Sequence, residues 1–392
     1  MPWQTLDLMS QREEFLALAA LGAVSFSELC RRYRISRKTG YKWRQRQQAG
    51  EGLRDRSRRP QHSPRRYEGA VVVELGELYA QWGWGGRKLR RRLQDLGREV
   101  VPAASTCTQI LRRSGAYVDQ PAAGSGPCQR FVRAQPNELW QMDHKGEIRL
   151  QAGGWCYPLT VLDDHSRFNL VLDAAAKKDG PTVQQALTHA FATYGLPEAI
   201  LCDNAAPWGN PDPVCPYTTF TVWLLQLGVQ VLHGRPYHPQ TQGKEERFHR
   251  TLSRELLSRH TWRDLSHCQK EFPAYRQRYN SERPHDALSG DTPLNRYRPS
   301  VRNLPATLPA FDYPAGTQVV RVRPQGVITF GNQTWYIGRA FAGLPIGLRP
   351  SPQSDGQWLI WFQHHRIGQL DLRTPPQPKH KLRSIYEPQA SA

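Results

Sequence analysis

The order of apolar runs in the middle of the chain constrains its fold more than any other feature of the sequence. A short strand is predicted to end at Asp143, a hairpin of two further strands occupies 155–172, and a helix follows over 181–194. A buried strand over 199–202, another helix and another strand come next, and a helix that begins at Lys244 ends the series. Three strands followed by alternating helices and strands predict an α/β domain with one mixed sheet.

Three carboxylates occupy strand and helix ends in this domain. Asp143 and Asp203 each follow an apolar strand, 60 residues apart, and Glu246 lies in the first turn of the last helix, 43 residues later. Strand ends in an open α/β sheet can converge on one crevice. Three carboxylates held there would repel one another unless cations compensated them, and hard oxygen ligands favour Mg²⁺ or Mn²⁺. Taken one at a time, such acids are more often structural or solvated than catalytic.

The charge of the chain indicates a polyanionic partner. The formal net charge is +19, and residues 31–66 hold 14 Lys or Arg against two acids. A basic excess of this size favours nucleic acid as the partner. The alternative, a surface that is basic only for solubility, does not explain why more than half of the excess lies in so short a segment.

The N-terminal region is predicted to carry a helix-turn-helix. Ser25 with Glu28 forms a capping box, and Ser36 caps a basic helix from Arg37 to about Gln48. An ordinary basic helical hairpin is the alternative. The residues predicted to contact DNA are Arg37, Lys38, Thr39, Lys42, Arg44 and Arg46 in this helix, Arg56, Arg58 and Arg59 in the arm after it, and Arg87, Lys88 and Arg91 in a second helical unit.

The remaining sequence mainly excludes other kinds of site and other classes of protein. The seven cysteines form no C-x-x-C pair, which favours reduced thiols over structural zinc. No apolar run approaches the ~20 residues of a membrane span, and the first residues do not resemble a signal peptide, so a cytoplasmic protein is expected. Short apolar runs separated by turns over 318–362 predict a small β-barrel, which could bind DNA or only stabilise the protein.

Three motifs resemble the acidic motifs of DDE transposases. They are residues 140–143 (WQMD), 203–204 (DN) and 238–252 (HPQTQGKEERFHRTL), and the segment 279–293 resembles the one that follows the core in that family. The likeness is strongest to bacterial insertion-sequence transposases with a retroviral-integrase-type core. Because Glu245 adjoins Glu246, the choice of the third acid rests on the alignment of the motif, which selects Glu246.

The resemblance and the patterning together predict a multidomain chain. The predicted segments are a helix-turn-helix and basic arm (1–66), a second helical DNA-binding unit (67–128), an α/β ribonuclease-H-like integrase catalytic core (129–262), a helical extension and linker (263–309), and a small all-β barrel (310–375). Two departures from the family pattern bear on the site. The interval between Asp203 and Glu246 holds 42 residues rather than about 35, and Ala205 replaces the usual Gly.

The resemblance implies a transposase. Two Mg²⁺ or Mn²⁺ ions would be held by Asp143, Asp203 and Glu246. The enzyme would hydrolyse a phosphodiester at each element end and transfer the freed 3′-hydroxyl into target DNA. Lys244, Arg247 and Arg250 flank the third acid and would contact DNA. The implied partners are double-stranded DNA, both terminal inverted repeats and target, and further copies of the chain, at least a dimer. The implied location is the bacterial nucleoid, with no membrane partner.

Two other functions remain open at this point. A transposase-derived DNA-binding regulator with an inactive core would keep the basic helices but lack strand transfer. A ribonuclease H-type nuclease would fit the core, although it would not explain the helix-turn-helix or the third motif.

Overall fold

The computed structural model describes residues 8–56, 67, 69–117, 132–209, 215–233 and 243–373. The predicted DNA contacts Arg58 and Arg59 lie outside these ranges. Internal contacts divide the chain into two compact units, with the division between Arg66 and Tyr67. Within the described ranges, no helix has the length and apolar character that a membrane crossing requires.

The first unit contains three helices, α1 (Leu8–Leu21), α2 (Phe26–Arg32) and α3 (Arg37–Gln48). The predicted caps are confirmed, because Ser25 accepts the N–H of Glu28 and Ser36 accepts the N–H of Thr39. A Cβ atom on Gly40 would lie 2.8 Å from Sγ of Cys30, so the close crossing of α2 and α3 favours glycine there. The buried core consists of Phe15, Leu16, Leu29, Cys30 and Trp43.

The second unit begins with three more helices. They are α4 (Ala70–Trp82), α5 (Gly86–Asp95) and α6 (Ala104–Arg113), and they enclose a core that includes Leu75, Leu89 and Leu111. These bounds confirm the predicted helical pattern of this region.

A mixed sheet forms the centre of the second unit. Its strands are β1 (Leu139–His144), β2 (Ile148–Arg149), β3 (Trp155–Asp163), β4 (Asn169–Ala175), β5 (Ala199–Cys202) and β6 (Gln230–His233). In the described residues the strand order is β2-β3-β1-β5-β6, with β4 paired to β3. β1 is antiparallel to β3 and parallel to β5, and β5 is parallel to β6. The predicted change from hairpins to parallel strands is therefore confirmed.

Helices cover this sheet through two separate hydrophobic cores. α7 (Gly180–Tyr194) and α8 (Thr219–Gln226) belong to the core that contains Trp140 and Met142 of β1. α9 (Gly243–Glu255) and α10 (Leu265–Ser281) belong to the core that contains Leu162 and Leu172. Because the two cores draw on different side chains of β3, the sheet is buried on both faces, as its continuous apolar strands predict.

The C-terminal region contains antiparallel strands. After the short helix α11 (Pro293–Arg296), the chain forms β7 (Gln318–Arg321), β8 (Val327–Phe330), β9 (Gln333–Tyr336), β10 (Pro345–Pro350), β11 (Gln357–Phe362) and β12 (His365–Asp371). β12-β11-β10-β7 form one sheet and β8-β9 a hairpin. This region shares a hydrophobic core with α8, because Tyr217 packs edge-on against Phe341 and Sγ of Cys215 donates to the carbonyl of Ile337.

Candidate active site

The strand register brings Asp143 and Asp203 together. Gln141 on β1 pairs with Leu201 on the parallel strand β5, and each aspartate lies two residues beyond its member of that pair. Residues two apart on a strand point to the same face, and neighbouring strands are about 4.8 Å apart. The two carboxylates therefore lie side by side at the carboxyl ends of two adjacent strands.

Asp143 is a partly buried carboxylate with a shifted pKa. Its Oδ1 accepts the backbone N–H of His144 at 2.7 Å, and its Oδ2 lies 3.8 Å from Nδ1 of His249. Burial, and then the charge of Asp203, raise the pKa of Asp143 to about 6 against the opposing effects of the His144 N–H and two lysines. The crevice therefore penalises the accumulation of negative charge that the two aspartates create.

Lys145 and Lys178 are the two lysines that lower the pKa of Asp143. The sequence analysis did not single them out. The only available signal was that Lys145 follows Asp143 by two residues, and Lys178 is placed beside the site by the chain's path after β4.

Asp203 is held through one oxygen. Its Oδ1 accepts the backbone N–H of Ala205 at 3.0 Å and also the indole N–H of Trp208. Trp208 is buried, and its ring stacks on His144 with centroids 5.2 Å apart and planes inclined by 19°. Among the described residues, Oδ1 of each aspartate accepts protein N–H groups, whereas Oδ2 of neither accepts a hydrogen bond.

Adjacent glutamates at the start of α9 have opposite surroundings. Glu245 is fully buried, and Glu246 is exposed. Oγ1 of Thr160 lies 3.0 Å from Oε2 of Glu245, 2.9 Å from the carbonyl oxygen of Asp143 and 2.8 Å from Nε2 of His249. Burial, and then the charge of Asp143, raises the pKa of Glu245 well above its usual value.

The hydroxyl of Thr160 connects Glu245 to β1. Its single proton lies between two acceptors, Oε2 of Glu245 and the carbonyl oxygen of Asp143. Burial of Glu245 favours the neutral form of its carboxyl, because it raises the pKa well above the usual value. Burial lowers the pKa of His249 to about 3, so the ring is neutral as well.

Glu246 is exposed in the first turn of α9, three residues before His249. The ring of His249 lies 3.8 Å from Oδ2 of Asp143 and 3.6 Å from Oε2 of Glu245. Of the two glutamates, it is Glu245 whose pKa the charge of Asp143 raises. Within the described ranges no group of three His, Cys, Asp or Glu side chains is positioned to hold a metal ion.

Several predicted DNA contacts are engaged within the protein instead. Lys244 forms an ion pair with the buried Asp164. Lys88 is largely buried near Arg283, and Arg91 bonds Asp95 and lies 3.4 Å from Asp291. These contacts hold the three side chains against the protein, and their contact with DNA stays a prediction.

Some predicted contacts in the first unit also have partners within the protein. Arg46 donates to the carbonyl oxygens of Gly52 and Arg54, and Arg56 pairs with Glu51 while its side chain stays exposed. Thr39 bonds the capping Ser36. The predicted DNA contacts that the structure leaves exposed are Arg37, Lys38, Lys42, Arg44, Arg56, Arg87, Arg247 and Arg250.

Comparison with protein families covers most of these regions. Two models of the integrase core domain match residues 133–239 and 227–293. A model of the IS481 family transposase C-terminal domain matches 317–377, and a helix-turn-helix domain model matches 11–61.

Comparison with individual proteins gives relatives of two kinds. The chain is 24% identical over 243 residues to an uncharacterized 39.2 kDa protein of insertion element IS476 from Xanthomonas euvesicatoria, covering 60% of this chain and 66% of that protein. It is 29% identical over 232 residues to an uncharacterized 31.7 kDa protein of insertion element IS407 from Burkholderia multivorans, covering 56% and 76%. The chain thus spans just under two thirds of the first relative.

Solved structures with a similar chain path come from retroviruses. The simian T-cell lymphotropic virus intasome in complex with PP2A regulatory subunit B56 gamma has 16% identity and a TM-score of 0.37, covering 77% of this chain and 99% of that chain. The HTLV-2 integrase catalytic core domain in complex with magnesium has 16% identity and a TM-score of 0.31, covering 42% and 97%.

The family matches and the sheet order define a protein with a helix-turn-helix region, a ribonuclease-H-like integrase core and C-terminal antiparallel strands. The predicted fold class is therefore confirmed. The chain thus contains matches to the integrase core domain and to the IS481 family transposase C-terminal domain, and it is similar to proteins of bacterial insertion elements.

Proposed function

We propose that this chain cuts the ends of its element and joins the resulting 3′-hydroxyls to target DNA at a site formed by Asp143, Asp203 and Glu246. The observation that carries the proposal is the pairing of Asp143 with Asp203 on adjacent parallel strand ends. A partly buried like-charge pair is costly, and such pairs cluster at functional sites. In this family's chemistry, the function would be phosphodiester cleavage and transfer without a covalent protein intermediate.

The donor set fits divalent cations. The two aspartates offer hard carboxylate oxygens, of which Oδ1 is fixed by N–H donors and Oδ2 is left for a cation. The raised pKa of Asp143 reflects a repulsion that a divalent cation would relieve. When bound there, Mg²⁺ or Mn²⁺ would activate the attacking oxygen and stabilise the leaving oxygen at phosphorus.

We assign the third carboxylate to Glu246 rather than Glu245. A metal ligand must be ionised and accessible to solvent and DNA, and Glu246 is exposed. Glu245 is fully buried, its pKa is raised well above the usual value and it is bonded to Thr160, so it would serve as a structural support for the strand that carries Asp143. Residues 234–242, which precede α9, lie outside the described residues.

Basic side chains around the site and on α3 would bind the DNA backbone. Lys145 and Lys178 lie close enough to Asp143 to shift its pKa, which places them where the phosphates flanking the reacting bond would lie. The exposed arginines and lysines of α3 would enter the major groove of the terminal repeats. Because two element ends must be joined together, the active form would be at least a dimer.

Strand transfer in vitro tests the proposal. The full-length protein is incubated with labelled DNA from the ends flanking its own gene and a supercoiled target, in Mg²⁺ or Mn²⁺ and in EDTA. Metal-dependent joined products are expected, and Asp143→Asn and Asp203→Asn should abolish them while end binding persists. Asp179→Asn is the matched control, because Asn can replace Asp179 in capping α7.

The outcomes separate the candidate functions. Normal joining by either active-site variant would refute the site. Specific end binding by the wild-type protein without any joining would favour the regulator, and cleavage of RNA–DNA hybrids without element ends would favour the ribonuclease.

A further inference from the structure

The loop after β5 places a tryptophan against the second aspartate. Trp208 is 2% exposed, and its indole N–H donates to Oδ1 of Asp203, five residues earlier. The backbone N–H of Ala205 donates to the same oxygen at 3.0 Å. A carboxylate oxygen that receives two N–H groups from different directions cannot rotate freely about its side-chain torsions.

The backbone of this loop is folded to deliver the ring to that position. The N–H of Gly209 donates to the carbonyl of Ala205 at 2.8 Å, which closes a turn around Trp208. A Cβ atom on Gly209 would lie 2.1 Å from the carbonyl oxygen of Asn204, so no other residue fits there without moving the backbone. The position of Trp208 is therefore set by the local fold.

The same indole also reaches the strand that carries the first aspartate. Its ring stacks on His144, with centroids 5.2 Å apart, and His144 directly follows Asp143. The backbone N–H of His144 in turn donates to Oδ1 of Asp143 at 2.7 Å. One side chain thus connects the loop that orients Asp203 to the residue that orients Asp143.

We propose that Trp208 is a positioning residue that sets the separation and orientation of the two aspartates for divalent cation binding. This inference rests on the proposed function. The indole N–H fixes which oxygen of Asp203 is turned to the protein, so Oδ2 is left towards the crevice. The stacked ring prevents the loop from carrying Asp203 away from Asp143.

The role of the N–H group can be separated from that of the ring. Trp208→Phe keeps an aromatic ring for His144 but removes the donor, and replacement by benzothienylalanine keeps the bicyclic shape while removing only the N–H. Trp335→Phe is a matched control: Trp335 is equally buried, and its N–H donates to the carbonyl of Phe330 in the C-terminal region.

Mn²⁺ binding to the full-length protein, followed by electron paramagnetic resonance and calorimetry, is the direct readout. Loss of a group that orients a metal ligand typically weakens metal affinity about 10- to 100-fold. Both replacements at Trp208 are expected to weaken Mn²⁺ binding by at least about tenfold. Their melting temperatures in EDTA should fall no further than that of Trp335→Phe, whose Mn²⁺ affinity should equal that of the wild type. Raising the Mn²⁺ concentration should restore strand transfer by Trp208→Phe.

The possible failures are distinct. Wild-type Mn²⁺ affinity in the benzothienylalanine protein would overturn the positioning role and leave the proposed function intact. Weakened affinity that Trp335→Phe shares would also overturn it, since the effect would then be one of general stability. Absence of Mn²⁺ binding and of joining in the wild type would overturn the proposed function and this inference with it.

Discussion

Replacing Thr160 by Val tests whether the buried contacts beneath Asp143 have been interpreted correctly. Val keeps the shape of the side chain but removes Oγ1, which contacts the carbonyl of Asp143, Glu245 and His249 at 2.8–3.0 Å. The substitution therefore leaves two buried polar groups, the carboxyl of Glu245 and the ring nitrogen of His249, without the hydroxyl they share.

The cost can be worked from these contacts. A buried polar group left without a partner costs about 1–3 kcal/mol, so two such groups cost about 2–6 kcal/mol. Thr160→Ser keeps the hydroxyl and loses one buried methyl group, which costs about 1 kcal/mol. At about 2 °C per kcal/mol for a unit of this size, the expected fall in melting temperature is about 4–12 °C for Val and about 2 °C for Ser.

Thermal unfolding of the two variants in EDTA, followed by circular dichroism, measures the difference. The reasoning predicts that Thr160→Val melts clearly below Thr160→Ser. If both melted within about 2 °C of each other, the hydroxyl would not support Glu245 and His249, and the assignment of Glu245 as a buried neutral acid would lose its basis.

Three further predictions concern stability, pH and DNA binding. Arg283→Met should destabilise the protein by about 3–5 kcal/mol, because the buried carboxylate of Glu255, which Arg283 bonds at 2.9 Å, would lose that cation. Denaturant unfolding measures the loss, and Glu255→Gln in the same chain should restore part of it. Mn²⁺ affinity measured by calorimetry should fall about tenfold per pH unit below about pH 6, where Asp143 takes up a proton; a flat profile would contradict the raised pKa of that carboxyl. Arg37→Ala should weaken end binding and lower the slope of log affinity against log salt concentration by about 1. Lys244→Met should leave that slope unchanged, because the ammonium of Lys244 already pairs with the buried carboxylate of Asp164. Equal effects of the two variants on the slope would contradict this difference between Arg37 and Lys244.

The sequence predicted the elements of the core well, because each is marked by local patterns. The strand over 199–202 is found at those residues, and the predicted helix over 181–194 begins one residue earlier, at Gly180. The helix predicted to begin at Lys244 begins one residue earlier, at Gly243, ends at Glu255 and is followed by a short 3₁₀ turn over Leu257–Arg259. Helix periodicity cannot distinguish these two kinds of turn over so few residues.

The orientation of basic side chains could not be predicted, since their partners are distant in sequence. Arg91 was predicted to contact DNA, yet it lies against Asp291, 200 positions away. Its neighbour Arg92 likewise bonds Glu282, 190 positions away. A run of positive charge looks the same in a sequence whether it faces DNA or an acidic surface of the same chain.

The geometry around the two aspartates could be predicted only in part from the sequence, because it depends on contacts made by the folded chain. The contact of Trp208 with Asp203 depends on the turn that Gly209 closes. The contrast between Glu245 and Glu246 depends on how α9 packs against β3. Asp163, in contrast, has local partners that the sequence makes evident, because it accepts the N–H and hydroxyl of Ser166 in the turn after β3.

The most direct test of the central claim compares Glu246→Gln with Glu245→Gln in metal-dependent strand transfer. The account predicts that Glu246→Gln reduces joining to background while end binding persists, because the third metal ligand is lost. Glu245→Gln should retain joining within a few-fold of the wild type, because the uncharged amide oxygen of Gln can still accept from Thr160 as the carboxyl does. Full activity of Glu246→Gln together with loss of activity in a folded Glu245→Gln protein would contradict the account.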